Sequence, residues 1–142
     1  MEIKTDKNKS RAIYAILVLS FIGFLDALYL TTNKLFGTAV KCYVFEGCQT
    51  VNNSSYASVF GIPLSFFGTV FYLAIFLLAI RMLEVKTSAY FKAIFYLSFL
   101  GVLSAIYLTS LQIFVIKALC IYCVVSAVDI IMIFILAFIN RK

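Results

Sequence analysis

Four apolar runs, at residues 12–32, 62–80, 92–116 and 119–139, limit what this chain can become. At about 1.5 Å of helix rise per residue, each covers or nearly covers the roughly 30 Å hydrocarbon core of a bilayer. Lipid offers no hydrogen-bond partner to an open backbone, so such runs must be helices and not isolated strands. The predicted fold class is an all-α integral membrane protein, a four-transmembrane-helix bundle in a single domain over residues 1–142. Composition agrees: 64% of the residues are hydrophobic and 13% charged, with a mean hydropathy of +1.07. A soluble domain of this size could not hide that much apolar surface.

The connections differ in kind. Residues 81–91 form a short charged link, and Lys117–Ala118 a tight hairpin. Residues 33–61 make one long loop outside the membrane, holding Cys42 and Cys48. The first run follows Lys4, Lys7, Lys9 and Arg11, as in a secretion signal. It is too long for one and lacks a small-x-small cleavage site, so it is expected to stay as the first helix. With a cytoplasmic N-terminus, nine Lys and Arg residues lie on the cytoplasmic side and only Lys34, Lys41 and Lys117 outside. By the positive-inside rule both termini are cytoplasmic and all four cysteines sit at the outer face of the cell membrane. The net charge of +6 belongs to these helix ends and to lipid headgroups, not to nucleic acid.

An internal repeat fits this layout. GFLDALYLTTNKLFGTAVKC (23–42) and GVLSAIYLTSLQIFVIKALC (101–120) share Gly, Leu, Ala, Tyr, Leu, Thr, Phe and Cys at a constant offset. Two helix pairs would then run the same way, each delivering a cysteine to the same face. Convergence on similar lipid contacts is the plainer alternative.

The chain has no histidine and no tryptophan, which excludes histidine-ligated haem, histidine-bearing zinc and His-based nucleophile dyads. Sulfur chemistry is what remains. Cys42 and Cys48 form one close pair, and Cys120-Ile-Tyr-Cys123 is a CxxC at the start of the fourth helix. That position suits a disulfide, and unpaired N–H groups at a helix start favour a thiolate. Lys117 should add to the bias. Apolar filler, a purely structural loop disulfide and a four-cysteine metal site are the other readings. Two pairs on one face invite a relay by thiol–disulfide exchange. With no metal or haem ligands, a lipid-soluble quinone is by elimination the acceptor.

Asp26 and Asp129 lie inside helices, where an acid is costly. Proton delivery to a reduced quinone is one role, and a buried interhelical hydrogen bond is the simpler one. Phe66, Phe67, Phe71, Tyr72, Phe95 and Tyr96 read as lipid-facing or packing residues, with Phe67 also able to meet a quinone ring. Pro63 fits the first turn of a helix.

The combination of GFLDALYL, Cys42 and Cys48, VNNSSYASVFGIPLSFFG and CIYC resembles the vitamin K epoxide reductase family from Gly23 to about Asp129. The resemblance implies a four-helix bundle around a quinone site, capped by the loop. It also implies roles: Cys42 exchanges with a thioredoxin-fold partner, Cys48 attacks Cys120, and Cys123 faces the quinone. Ser54 matches the family's loop serine. Leu64 and Ala127 stand where animal members use Asn and Tyr to hold vitamin K, so a respiratory quinone of the ubiquinone or menaquinone type is expected over an epoxide. Many microbial members carry a fused thioredoxin-like domain, and a chain ending at Lys142 implies a separate extracytoplasmic partner. The expected function is thus a thiol–disulfide oxidoreductase that reduces membrane quinone and supports disulfide formation. A non-catalytic membrane subunit or small transporter with a loop disulfide is the alternative.

Overall fold

The computed structural model describes residues 2–37, 55, 58–85 and 87–141, with side chains from residue 7 onward. Among the described residues there are four long helices: α1 (Glu2–Phe36), α2 (Leu64–Glu84), α3 (Ser88–Ser110) and α4 (Ile121–Asn140). α3 runs on as a π-helical segment, Leu111–Ile116. All four are long and apolar enough to cross a membrane, α3 together with its π extension. A small antiparallel hairpin, β1 (Ser58–Val59) and β2 (Ile62–Pro63), precedes α2. The protein is an all-α membrane bundle.

Helix ends differ from the apolar runs for local reasons. α1 starts at Glu2, well ahead of its apolar run, because no Gly or Pro interrupts the polar segment before it. α2 starts later than its run. Phe60 (φ 52°) and Gly61 (φ 81°) make a two-residue hairpin turn with both φ values positive. Ile62 and Pro63 then remain extended, pairing with Val59 and Ser58. Pro63 (φ −58°, ψ 137°) is therefore the N-cap of α2, one residue before the first-turn place expected for it. α3 begins at Ser88, after Thr87 in extended conformation (φ −105°, ψ 137°).

α1 packs along both α2 and α4, and α4 along α3, whereas α2 and α3 scarcely touch. Ile13, Ile16, Ile75, Ala79, Met82, Ile94, Ile133 and Ala137 form a closed core. These residues come from the start of α1 and α3 and the later half of α2 and α4, so they fill the end of the bundle that holds both termini. Lipid tails are as apolar as these side chains, so close packing, not exclusion from water, holds them together. Arg141 covers this end, its guanidinium 4.5 Å from the Phe95 ring centre and 4.7 Å from that of Phe138.

Glycine sets how near the helices come. A Cβ on Gly23 would overlap the ring of Tyr72, and one on Gly101 would stand 2.7 Å from Ile130 Cγ1 and 2.8 Å from Phe71 Cζ. Gly23 and Gly101 are equivalent in the internal repeat, and each marks the point where its helix meets a neighbour. A Cβ on Gly68 would meet only Ala27, at an ordinary 3.6 Å. Gly23→Ala is therefore expected to cost about 1–3 kcal/mol by overpacking. Gly68→Ala should be near neutral. Thermal unfolding of the two variants in detergent, side by side, checks the contrast.

Candidate active site

The other end of the bundle is hollow. A cavity of about 390 Å³ opens among the four helices, within the roughly 300–1,000 Å³ range of small-molecule sites. Asp26, Ala27 and Leu30 of α1 line it, facing Ser104, Ala105 and Leu108 of α3. These six are three equivalent pairs of the internal repeat, so α1 and α3 present matching walls. α2 adds Leu64, Phe67 and Tyr72, and α4 adds Cys123, Ser126 and Ala127. Thr31 and Thr69, their hydroxyls 3.2 Å apart, tie α1 to α2 beside it.

Both cysteines of the CxxC stand on the cavity wall as free thiols. Cys120 is the N-cap of α4 (φ −104°, ψ 122°) and is 1% exposed. Its sulfur is hydrogen-bonded to the Cys123 thiol, and the N–H groups of Tyr122 and Cys123 face it. The Cys123 bond is the main cause that holds the Cys120 thiol below its ordinary value, with burial opposing and the two N–H groups assisting. The helix start thus contributes as expected, but behind Cys123. Lys117 is exposed and is not among these causes. Tyr122, between the cysteines, packs on Tyr29 of α1 with ring centres 5.1 Å apart.

Gln112 is the residue that sequence reasoning missed. It is 4% exposed, and its side-chain oxygen accepts the Cys120 N–H at 3.3 Å. Its backbone oxygen accepts the N–H of Lys117, and that of Ala118 at 3.0 Å. Lys117 closes the π-helical segment in the left-handed conformation (φ 57°). One glutamine therefore holds both the turn and the first residue of the CxxC. The available signal was a lone amide in an apolar run, since polar groups inside a membrane are costly and tend to be functional.

Tyr72, expected only to pack, is 3% exposed, and its hydroxyl donates to the Ser126 carbonyl oxygen at 2.8 Å. Asp26 and Asp129 each keep a buried Oδ2 with no hydrogen-bond partner among the described residues. The simpler expectation for these acids, a buried interhelical hydrogen bond, does not account for those two oxygens. Asp26 lines the cavity. Asp129, 3% exposed, lies about 9 Å farther along α4 than Cys123 at 1.5 Å per residue.

Of the residues singled out beforehand, Cys120, Cys123, Leu64, Phe67 and Ala127 all line the one cavity. Cys42, Cys48 and Ser54 lie outside the described residues. The vitamin K epoxide reductase family model matches residues 14–138, which takes in every wall of the cavity. The chain belongs to the vitamin K epoxide reductase family. No curated protein sequence matches it. Membership in the vitamin K epoxide reductase family makes it a membrane redox enzyme, of a family that works in general with quinones and thioredoxin-like proteins.

The local chemistry of Cys120 has a measurable consequence. In protein with Cys42→Ser and Cys48→Ser, iodoacetamide should alkylate Cys120 with a half-maximal rate at a lower pH than an ordinary cysteine requires. Cys123→Ala removes the main stabiliser of the thiolate and should move that midpoint upward. An unmoved midpoint would show that the Cys123 bond is not the cause.

Proposed function

We propose that this protein oxidises a dithiol of a thioredoxin-fold partner outside the cytoplasm and passes the electrons to a membrane quinone. The observation that carries this is the opening of the Cys120–Cys123 dithiol onto a largely apolar cavity between membrane-spanning helices. Cys42 exchanges with the partner, Cys48 hands the electrons to Cys120, and Cys123 faces the quinone. The distribution of Lys and Arg supports placing this end at the outer face.

The cavity suits a quinone head group. Its wall is mainly Leu, Ala, Gly and aromatic rings, with a few polar groups at fixed places. When bound, a quinone supplies a two-electron, two-proton acceptor. The protein's own part is to hold the dithiol at the wall, with Gln112 on the Cys120 N–H and Cys123 on its sulfur. Leu64 and Ala127 offer no side-chain hydrogen bond to a bound ring, which favours a respiratory quinone over an epoxide. A second hollow of about 490 Å³ shares Leu64, Ser104, Leu108 and Leu111 with the first and adds Val59 and Tyr107. It lies on the loosely packed α2–α3 side, where an isoprenoid tail can leave toward lipid.

Purified protein given a reduced thioredoxin-fold partner and a short-chain quinone, without oxygen, should turn over. Cys123→Ala and Cys48→Ala should each reduce the quinone absorbance change to background, and a mixed disulfide should be trapped through Cys42. Absence of a quinone signal from the wild type across ubiquinone and menaquinone analogues would refute the oxidoreductase reading and leave a non-catalytic membrane subunit.

A further inference from the structure

We propose that Asp26 donates a proton to the acceptor reduced by Cys120 and Cys123, an inference that rests on the quinone-reductase reading above. Reduction of a quinone to a quinol needs two protons as well as two electrons, and the cavity wall is mostly hydrocarbon. Besides the two thiols, Asp26 and Tyr72 are the only acids among the described residues of that wall. Tyr72 already commits its hydroxyl hydrogen to the Ser126 carbonyl oxygen at 2.8 Å. Asp26 is uncommitted at Oδ2, which is buried and has no partner. A carboxyl oxygen left that way inside a membrane is costly, and a merely structural acid would have found a donor.

Two further observations point the same way. Asp129 of α4 is within electrostatic reach of Asp26, is 3% exposed, and also keeps an unpartnered Oδ2. In this proposal it relays a proton back to Asp26. Across the cavity, the repeat-equivalent position holds Ser104, so only one of the two matching walls carries an acid.

The balance closes without another reactant. Forming the Cys120–Cys123 S–S bond breaks two S–H bonds and releases two electrons and two protons. The electrons reduce the ring, and two O–H bonds form on it. Asp26 supplies one of those protons and is reprotonated by one that the thiols release, directly or through Asp129. The other thiol proton completes the quinol.

The test is a single turnover of fully reduced, full-length protein with a short-chain ubiquinone analogue, without oxygen. Asp26→Asn should slow quinol formation about tenfold or more, the scale of general acid catalysis. The number of reactive thiols at Cys120 and Cys123 should stay at two and the variant should stay folded, and Asp26→Glu should recover most of the rate. The pH profile of the wild type should lose rate as Asp26 deprotonates, a limb missing in Asp26→Asn. The titratable groups facing Asp26 are Tyr72 of α2, Cys120 before α4, and Cys123 and Asp129 of α4. α3 brings none to the cavity. A second readout is independent of turnover: an infrared carboxylic C=O band that shifts when the analogue binds, absent in Asp26→Asn. Wild-type rate in Asp26→Asn, or no such band in the wild type, overturns the role of Asp26 alone. A wild type that reduces no quinone while its thiols titrate normally overturns the quinone reading and this proposal with it.

Discussion

The site depends on one hydrogen bond, from the Cys120 N–H to the Gln112 side chain. A helix start leaves unpaired N–H groups, and inside a membrane-embedded bundle water is not at hand to satisfy them. α4 begins at Cys120 in such surroundings, and Gln112 meets the need from the end of the preceding helix. The same residue accepts two backbone N–H groups from the turn that follows. The cysteine is therefore fixed to α3 as well as to α4. Tyr122 on Tyr29 adds a contact to α1. A CxxC whose backbone and flanking ring are tied to three helices keeps its place while its disulfide forms and breaks.

The bundle divides its work along its axis. The end with both termini is packed solid, and the end with the CxxC is hollow. Solid packing supplies the cohesion that lipid does not, so the hollow end can leave apolar wall unfilled. The weak α2–α3 side is the counterpart of the strong α1–α2, α1–α4 and α3–α4 contacts. Glycines at 23 and 101 sit where this arrangement changes from packed to open, and larger residues there would push Tyr72 or Ile130 out of place.

The four spans were legible because hydropathy over some twenty residues needs no tertiary information. The CxxC was legible for the same local reason, its spacing being the whole of its signal. Leu64 and Ala127 were reached through the family resemblance and Phe67 from its place near the outer end of the second helix, since nothing in an apolar residue itself distinguishes a cavity wall from a lipid-facing surface. Gln112 was passed over because its role is set by a partner eight residues away across a turn. The start of α2 was misplaced because Ile62 and Pro63 are as apolar as the helix they precede, and only the positive φ values of Phe60 and Gly61 separate them from it. Asp26 and Asp129 stood out as acids in lipid, but their unpartnered oxygens are a property of three dimensions.

The π-helical segment that carries Gln112 and leads to the CxxC gives the chain's length a meaning of its own there. Its wider turns take up more sequence over a given rise than an α-helix does. The stretch from Gln112 to Cys120 thereby acts as a ruler, cut so that the amide and the cysteine meet. Hydropathy does not register such a measure. A chain shortened by one apolar residue in this stretch would keep four spans, both thiols and an unchanged charge pattern. It would also bring Cys120 to the wall rotated away from its strut, a membrane protein complete in composition and out of step at its working end.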